Sequence, residues 1–234
     1  MSALVLGATG LCGGFFLKYA ALAPQLTKVH SLTRSKPSIA LKNDSSVDYI
    51  LNKDSGAWSQ AIEAIDGPID YLFTALATTR VAAGSTENQY KIDHDMNIEL
   101  AKAALAKGCK TVVVVSSLGA HVDSHFFYPK MKGEIERDLA ALGFEHTIIL
   151  RPGIILGDRG AKAHSGFGNG LATRLGGMFY RSRAQALMGY PIEAEDISRV
   201  GVHLALNLDS DEKVRIVESK ELLEISAKLM QEDK

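Results

Sequence analysis

The sequence of 234 residues has few cysteines, almost no net charge and no long run of apolar residues. Two cysteines are too few for a disulfide framework, so we expect a reducing compartment. A net charge of −1 provides no overall attraction to nucleic acid or to an anionic membrane. No apolar run approaches the ~20 residues that a membrane-spanning helix needs. The seven histidines have no ligand spacing, so no metal site is predicted.

The start of the chain argues against a cleaved leader. The first predicted strand begins at Ala3, and cleavage of a presequence would remove it. We therefore expect any association with an organelle to be peripheral, or to follow import without cleavage.

What the sequence does contain is an alternation of short apolar strands with helical patterns, in a chain that is 46% hydrophobic. Runs such as TVVVV are apolar without alternation, which is typical of strands covered by helices on both faces. These features predict a single α/β domain over residues 1–234, a doubly wound parallel sheet of the Rossmann type that binds NAD(P), with residues 157–190 as a small substrate lid. The predicted strands are Ala3–Leu6, Val29–Leu32, Val47–Leu51, Ile69–Thr74, Thr111–Val115, His146–Leu150 and Val214–Val217. The predicted helices are Leu11–Ala23, Ala57–Ile65, Glu87–Lys107, Lys130–Leu142, Glu195–Leu206 and Lys220–Gln231.

The stretch LVLGATGLCGG places Gly7, Gly10 and Gly13 directly after the first strand and at the start of a helix. Tight packing of a strand, a turn and a helix would explain these glycines. A phosphate cradle explains them better, because glycines let backbone N–H groups approach a pyrophosphate and the helix N-terminus favours an anion. Cys12 lies in the first helical turn, where a thiolate would be stabilised or a small side chain would fill space.

The end of the second strand indicates which nucleotide is bound. An NAD site has Asp or Glu there to accept from the ribose 2′-hydroxyl, whereas Arg suits a 2′-phosphate. The stretch VHSLTRSKP has no acid, and Arg34 and Lys36 follow the strand, so NADP(H) is predicted. The alternative for Arg34 is a solvated loop charge. Asp54, after the third strand, would contact the adenine or cap the next helix.

A second cluster of polar residues follows the strand TVVVV. Ser116 and Ser117 end this strand, Tyr128 comes twelve residues after Ser116, and Lys132 is four residues further on. Residues i and i+4 share a helical face, and an ammonium beside a phenol stabilises the phenolate, which prepares Tyr128 for proton transfer near neutral pH. A serine hydroxyl can hold a substrate carbonyl oxygen. The spacing slightly favours Ser116, and the choice between the two serines stays open.

These motifs are similar to those of the short-chain dehydrogenase/reductase superfamily, in its atypical NADPH-binding branch. The stretches TALATTR, YKIDHD, VSSLGAH, YPKMKGEIE, LRPGIILG and YRSR resemble the Tat-interacting oxidoreductase family, and in particular its fungal members from the mitochondrial outer membrane. The resemblance covers nearly the whole chain and implies that Tyr128 and Lys132 carry proton transfer. The superfamily's helical asparagine has no clear counterpart, since Asp93 and Asn97 only approximate its place. The predicted cofactor-binding residues are Gly7, Thr9, Gly10, Leu11, Cys12, Gly13, Arg34, Asp54, Tyr128 and Lys132. The resemblance further implies that Ala75, Leu76, Ala77 and Thr78 flank the adenosine ribose and the nicotinamide, and that Arg151, Pro152 and Gly153 lie beside the nicotinamide.

The predicted lid is basic, which bears on the substrate. A basic lid would select an anionic small molecule, contact anionic lipid or a partner, or form an ordinary solvated surface. Its charged residues are Arg159, Lys162, Arg174, Arg181 and Arg183, against Asp158.

The sequence therefore predicts an NADPH-dependent reductase that acts on an unidentified carbonyl or related small molecule, with no nucleic-acid partner. The alternative is an NADPH-binding, redox-sensing interaction module with little turnover. The resemblance implies a mitochondrial protein peripheral to the outer membrane, with the cytosol as the alternative. The oligomeric state stays open.

Overall fold

The main sheet of the protein is built from short strands, of which the central ones are buried and the two at the edges are partly exposed. A computed structural model describes residues 1–158, 180, 185–208 and 212–232. The strands in this part of the chain are β1 (Ser2–Leu6), β2 (Lys28–Thr33), β3 (Val47–Leu51), β4 (Tyr71–Thr74), β5 (Thr111–Val115), β6 (His146–Arg151), β7 (Ile155–Leu156), β8 (Ile192–Glu193) and β9 (Val214–Glu218). Seven of them form a parallel sheet in the order β3-β2-β1-β4-β5-β6-β9, and β7 pairs with β8 in a separate parallel ribbon.

Helices cover both faces of this sheet. Within the described ranges they are α1 (Leu11–Leu22), α2 (Trp58–Glu63), α3 (Arg80–Ala83), α4 (Thr86–Tyr90), α5 (Met96–Ala106), α6 (Phe127–Ala141), α7 (Ala194–Leu206) and α8 (Ser219–Glu232). Alternate strand residues contribute to opposite layers of the core. Val113 of β5 packs in the layer with α1, α7 and α8, whereas Val112 and Val114 pack in the layer with α2, α5 and α6. The doubly wound α/β architecture predicted from the sequence is confirmed.

The order of the sheet reverses between β1 and β4. Strands β1, β2 and β3 run outward to one side, and β4, β5, β6 and β9 run outward to the other. At such a switch point the loops at the carboxyl ends of the two central strands diverge to opposite faces, which opens a crevice for a ligand. The loops after β1, β4, β5 and β6, which carry most of the predicted site residues, all begin at this edge.

Element boundaries agree with prediction to within a few residues. The helix expected over Glu87–Lys107 is present as a continuous helical run of α4, a π-helical turn at Lys91–Asp95, and α5, and the π-helical turn within it was not predicted. Helix α6 begins at Phe127 rather than Lys130, so Tyr128 lies inside its first turn. The β7–β8 ribbon was not expected, because two-residue strands carry no periodic signal.

The predicted lid, residues 157–190, lies mostly outside the described residues. This applies to Arg159, Lys162, Arg174, Arg181 and Arg183, so the division into one domain with a lid stays a prediction. Among the helices that are described, none has the length and apolar character needed to cross a bilayer.

Candidate active site

The loop after β1 and the loop after β4 touch at the switch point, and Gly7 makes this contact possible. Gly7 has φ +79°, in the left-handed region that side chains disfavour. A Cβ at Gly7 would also lie 2.8 Å from the carbonyl carbon of Ala75. A residue with a side chain at this position would therefore push the two loops apart.

The other two glycines of the motif have different roles. A Cβ at Gly13 would lie 2.1 Å from the Gly7 carbonyl oxygen, so Gly13 is required for α1 to pack on the loop. Among the described residues, a Cβ at Gly10 would approach only that same oxygen, at 3.2 Å. Gly10 is exposed, and its N–H donates to the Gly7 carbonyl oxygen over 2.8 Å. Gly7 and Gly13 thus shape the loop, and Gly10 faces outward.

The N-terminus of α1 suits an anion. No side chain caps it at Gly10, and no acidic residue lies in its first turn. The first backbone N–H groups of a helix have no partner within the helix and carry its partial positive charge. Exposed Thr9 and half-buried Leu11 flank Gly10, and Cys12 is buried behind them. This uncapped helix, fronted by an exposed glycine, fits the pyrophosphate of a dinucleotide.

The two basic residues after β2, Arg34 and Lys36, differ in their contacts with other side chains. Arg34 is exposed and forms no ion pair with any described residue, whereas Lys36 lies 3.5 Å from an Asp44 carboxylate oxygen and 4.6 Å from the centre of the Tyr49 ring. Of these two described side chains, Arg34 is the one without an ionic partner. Asp54 caps the short helical turn Ser55–Ala57, accepting from the Gly56 N–H over 3.0 Å. Its contact with adenine stays a prediction.

Hydrogen bonds from the π-helical turn and from the start of α5 hold the loop Ala75–Thr78 in place. Asp93 Oδ1 accepts from the Thr78 N–H at 2.6 Å. The Asn97 side-chain amide donates to the Leu76 carbonyl oxygen at 2.9 Å and to the Asp93 carbonyl oxygen at 2.7 Å. Asp93 and Asn97 are both buried. The two residues that only approximated the superfamily asparagine in sequence thus support the loop predicted to contact the cofactor.

Tyr128 and Lys132 lie on the same side of α6. The Lys132 ammonium nitrogen is 6.0 Å from the centre of the Tyr128 ring and donates to the Val115 carbonyl oxygen at 3.2 Å. Tyr128 is 43% exposed and Lys132 only 5%. The predicted pair is therefore brought together at the carboxyl end of β5, with the phenol open to solvent and the ammonium buried beneath it.

Gly133 is a necessary residue of this helix that the sequence reasoning missed. A Cβ there would lie 2.4 Å from the carbonyl carbon of His121. Gly133 therefore lets the loop after β5 lie directly against α6, and the His121 N–H donates to the Pro129 carbonyl oxygen at 3.0 Å. In the sequence, the sign of this close packing was the glycine that directly follows Lys132 in the predicted helix.

The two serines are in different surroundings. Ser116 is buried, and its hydroxyl donates to the carboxylate of buried Glu136. Ser117 is partly exposed, and within the described part of the chain its hydroxyl donates only to the neighbouring Leu118 carbonyl oxygen, at 3.3 Å. The spacing argument favoured Ser116, but the geometry leaves Ser117 as the serine whose hydroxyl is available to a ligand.

Arg151 is committed to a buried ion pair. It donates to both carboxylate oxygens of Glu136, at 3.0 and 2.6 Å, and to Glu218 at 2.9 Å. The hydrogen bonds to Glu136 and Glu218 raise the pKa of the Arg151 guanidinium above its usual value. The side chain of Arg151 thus ties β6 to α6 and to the end of β9. Glu136, four residues after Lys132, is the other residue that the sequence reasoning missed.

Pro152 and Gly153 bring the loop after β6 into the same edge. The Pro152 carbonyl oxygen accepts from the Leu118 N–H at 2.8 Å. A Cβ at Gly153 would lie 1.7 Å from the Gly189 carbonyl oxygen, so this glycine permits the backbone of residues 189 and 190 to pass close by. The loops after β1, β4, β5 and β6 therefore converge at this edge of the sheet.

Comparison with known families and relatives finds matches that extend over nearly the whole chain. The profile of the HIM1 family matches residues 67–183. A Saccharomyces cerevisiae protein named FMP52, mitochondrial, is 54% identical over 229 residues, which cover 98% of each chain. The Candida albicans protein of the same name is 40% identical and covers 98% of this chain and 100% of its own.

Solved structures with the same fold are distant in sequence. MoeE5 in complex with UDP-glucose and NAD matches with a TM-score of 0.66 at 17% identity, covering 99% of this chain and 82% of its own. A UDP-glucose 4-epimerase from Thermotoga maritima matches with a TM-score of 0.64 at 14% identity, covering 100% of this chain and 84% of its own. The KRED1-Pglu enzyme matches with a TM-score of 0.65 at 14% identity, covering 92% and 99%. At these identities the similarity establishes the fold alone, a doubly wound parallel sheet of the Rossmann type.

Proposed function

This chain belongs to the FMP52 family, and from its fold and site geometry we propose that it is an NADPH-dependent reductase of the short-chain dehydrogenase type, acting on a carbonyl compound. The observation that carries the proposal is the pair on α6: an exposed Tyr128 phenol above a buried Lys132 ammonium, 6.0 Å from ring centre to nitrogen. This pair lies at the carboxyl edge of the sheet that also carries the Gly7–Gly13 loop.

Each residue has a defined task in this reaction. NADPH would supply the hydride. The backbone N–H groups at the start of α1 would bind its pyrophosphate, and Lys132 would hold a ribose hydroxyl. The Tyr128 hydroxyl would give its proton to the carbonyl oxygen as the carbonyl is reduced, and the Lys132 ammonium would stabilise the phenolate that remains. Solvent then returns a proton to Tyr128.

The serine hydroxyl that holds the substrate carbonyl oxygen is Ser117 in this proposal. Ser116 would have to break its hydrogen bond to Glu136 to reach a ligand, and this would leave a buried carboxylate with one donor fewer. Ser116 instead helps to place the end of β5 against α6.

We expect NADPH to bind at least tenfold more tightly than NADH, a difference of ~1.4 kcal/mol. Arg34 is exposed and unpaired among the described residues, so it can meet a 2′-phosphate without losing another partner. Arg34→Ala should remove most of this preference, as measured by fluorescence titration with both nucleotides. Lys36→Ala is the matched control and should keep the preference, because Lys36 is engaged by Asp44 and Tyr49. Equal affinities of the parent protein for both nucleotides would show that this assignment is wrong.

The direct test of the reaction is NADPH oxidation by the purified protein against a panel of aldehydes, ketones and quinones. Substrate-dependent loss of absorbance at the reduced-nicotinamide band supports the proposal. Anionic members of the panel test the expectation that the basic segment 157–190 selects an anionic small molecule.

A redox-sensing interaction module is the second candidate, and one observation favours it. The Ser116 hydroxyl donates to Glu136, so only one of the two serine hydroxyls that the sequence proposed for substrate binding, that of Ser117, is available to a substrate. Tight NADPH binding with no turnover of any compound in the panel would support this candidate over the reductase.

We also propose a mitochondrial location, peripheral to the outer membrane. The relatives named mitochondrial support the organelle, and the motif resemblance to the Tat-interacting oxidoreductase family is the basis for the membrane. Alkaline carbonate should release the protein from purified mitochondria into the supernatant. Retention in the carbonate-washed membrane would contradict peripheral attachment, and absence from mitochondria would favour the cytosol.

A further inference from the structure

Exposed apolar side chains are concentrated beside the two hydroxyls of the candidate site. Among the described residues, four of the eleven large apolar or aromatic side chains that are exposed fall within residues 118–128. They are Leu118, Phe126, Phe127 and Tyr128. Across the described ranges no other aromatic side chain is exposed. Isolated exposed apolar residues are ordinary on a protein surface, whereas a group of them around polar residues marks a binding surface.

Leu118 directly follows the serine that is open to a ligand, and its backbone is fixed. The Leu118 N–H donates to the Pro152 carbonyl oxygen at 2.8 Å, and the Ala120 N–H donates to the Ser117 carbonyl oxygen at 3.1 Å, which closes a turn. Leu118 is nevertheless 45% exposed. A Cβ at Gly189 would lie 3.1 Å from its Cδ2, so this side chain reaches the residue against which the loop after β6 packs. The apolar surface of Leu118 therefore lies at the carboxyl edge of the sheet.

Phe126 contributes neither to the core nor to the helix that it precedes. Its side chain is 77% exposed, the largest value among the large apolar side chains of the described ranges. It is also the N-cap residue of α6, and no side-chain hydrogen bond caps this helix. Ser, Thr, Asp and Asn cap helices well because their side chains accept from the first backbone N–H groups, and Phe has no such acceptor. A residue that departs from both rules is expected at a functional site.

The segment that carries Phe126 is held in place by hydrogen bonds at both of its ends. The Phe126 N–H donates to Ser124 Oγ at 3.2 Å, and its carbonyl oxygen accepts from the Lys130 N–H at 3.1 Å. The His121 N–H donates to the Pro129 carbonyl oxygen at 3.0 Å. The ring is therefore exposed on a fixed backbone, two residues before Tyr128, as Leu118 is exposed one residue after Ser117.

We propose that Leu118 and Phe126 form an apolar subsite for a hydrocarbon substituent on the substrate carbonyl, so that the preferred substrates are aldehydes or ketones carrying an aromatic ring or an aliphatic chain. The inference rests on the proposed function, because the substituent belongs to the compound that Ser117 and Tyr128 hold. Neither side chain offers a hydrogen bond or a charge, and each is stabilised by leaving water. A membrane or a second copy of this chain on the same side chains would cover Ser117 and Tyr128, so the substrate is the occupant consistent with the reaction.

Kinetics with an apolar and a polar aldehyde test this subsite. For the parent, kcat/KM for hexanal should exceed that for glyceraldehyde about tenfold or more, because hydrocarbon takes the place of hydroxyls. Leu118→Ser should lower kcat/KM for hexanal about tenfold, mainly through KM, since the lost contact is made in the ground state and the transition state alike, and should leave glyceraldehyde within about twofold. Leu22→Ser is the matched control, because Leu22 is 43% exposed at the end of α1, and it should change neither value.

Two kinetic results would overturn the subsite. One is a parent protein that reduces glyceraldehyde with the same kcat/KM as hexanal. The other is a Leu118→Ser variant whose KM for hexanal equals that of Leu22→Ser.

Phe126→Ser separates a substrate contact from a structural role. The serine hydroxyl can accept from the N–H groups at the start of α6, so the melting temperature should equal or exceed that of the parent. The KM for hexanal should nevertheless rise about fivefold, because apolar contact area is lost. A lower melting temperature with an unchanged KM would show that Phe126 serves the fold and would remove it from the subsite.

Methyl NMR judges the subsite even if no compound is reduced. In protein labelled at the leucine methyl groups, hexanal should shift the Leu118 signals, identified by their absence in Leu118→Ser, and leave those of Leu22 in place. Such shifts without turnover would reject the reductase and keep the subsite. Unshifted Leu118 signals would overturn the subsite whether or not the protein turns over. Phosphatidylcholine vesicles and a series of protein concentrations test the other occupants, and a Leu118 shift with either of these and none with hexanal would replace the substrate by a lipid surface or a second copy of the chain.

Discussion

Tyr128→Phe is expected to lower the rate of NADPH-dependent carbonyl reduction about 100-fold or more, the scale that follows loss of a positioned acid. The substitution removes one hydroxyl and leaves the ring. The Tyr128 side chain is 43% exposed, and its hydroxyl makes no hydrogen bond within the described residues. The melting temperature and the NADPH affinity should therefore stay close to those of the parent, and steady-state kinetics with a confirmed substrate measure the loss.

Lys132→Met is the partner variant that distinguishes two tasks on one helix face. Its ammonium is proposed to serve the ribose as well as the phenol, so this variant should lose both NADPH affinity and rate, whereas Tyr128→Phe loses rate alone. If Tyr128→Phe reduces a confirmed substrate as fast as the parent, Tyr128 is not the proton donor. The reaction would then draw its proton from solvent, or the redox-sensing module would be the better description of the protein.

Gly10→Val is expected to abolish NADPH binding while the protein still folds. Gly10 has φ −88° and ψ 174°, an extended conformation that any residue adopts, and a Cβ there would approach only the Gly7 carbonyl oxygen among the described residues. The branched side chain would therefore point into the space in front of α1, where the pyrophosphate must approach the backbone. Nucleotide titration measures binding, and circular dichroism with thermal melting confirms folding.

Gly14→Ala is the matched control for this loop. A Cβ at Gly14 would make ordinary contacts, at 3.4 Å from the Ala8 carbonyl oxygen and 3.6 Å from Ile39, so binding should survive. Gly13→Val is unsuitable as a control, because its Cβ would collide with the Gly7 backbone and would perturb the fold itself. Normal NADPH binding by folded Gly10→Val would mean that the glycine loop serves packing and that the nucleotide site lies elsewhere.

Local patterns explain how much of the fold could be predicted. The strand Thr111–Val115 was predicted to the residue, because an unbroken β-branched run between a helix and a polar segment has one good placement in a buried parallel sheet. The π-helical turn at Lys91–Asp95 could not be predicted in the same way. Its residues continue the helical pattern of their neighbours, and the wider turn becomes favourable through contacts that Asp93 and Asn97 make with residues 15 and 21 positions earlier in the chain.

In the candidate site, too, features set by local spacing could be predicted from the sequence, and features set by tertiary contacts could not. The spacing of Tyr128 and Lys132 predicted a shared helical face, since the period of a helix is a local property, and the structure places them on one side of α6. The choice between Ser116 and Ser117 could not be made from spacing. It depends on Glu136, which accepts from Ser116 and from Arg151 only when β5, β6 and α6 are packed together.

The sequence by itself determined the alternation of strands and helices, the glycine loop and the positions of the candidate catalytic side chains, because short-range periodicity and backbone conformation decide these features. Only the tertiary structure decided which polar groups are already occupied. Arg151 and Ser116 are bound within the protein, whereas Arg34, Ser117 and Tyr128 are open to a ligand. The physical reason is that the partners of a buried polar group come from distant segments, and desolvation makes those partnerships obligatory.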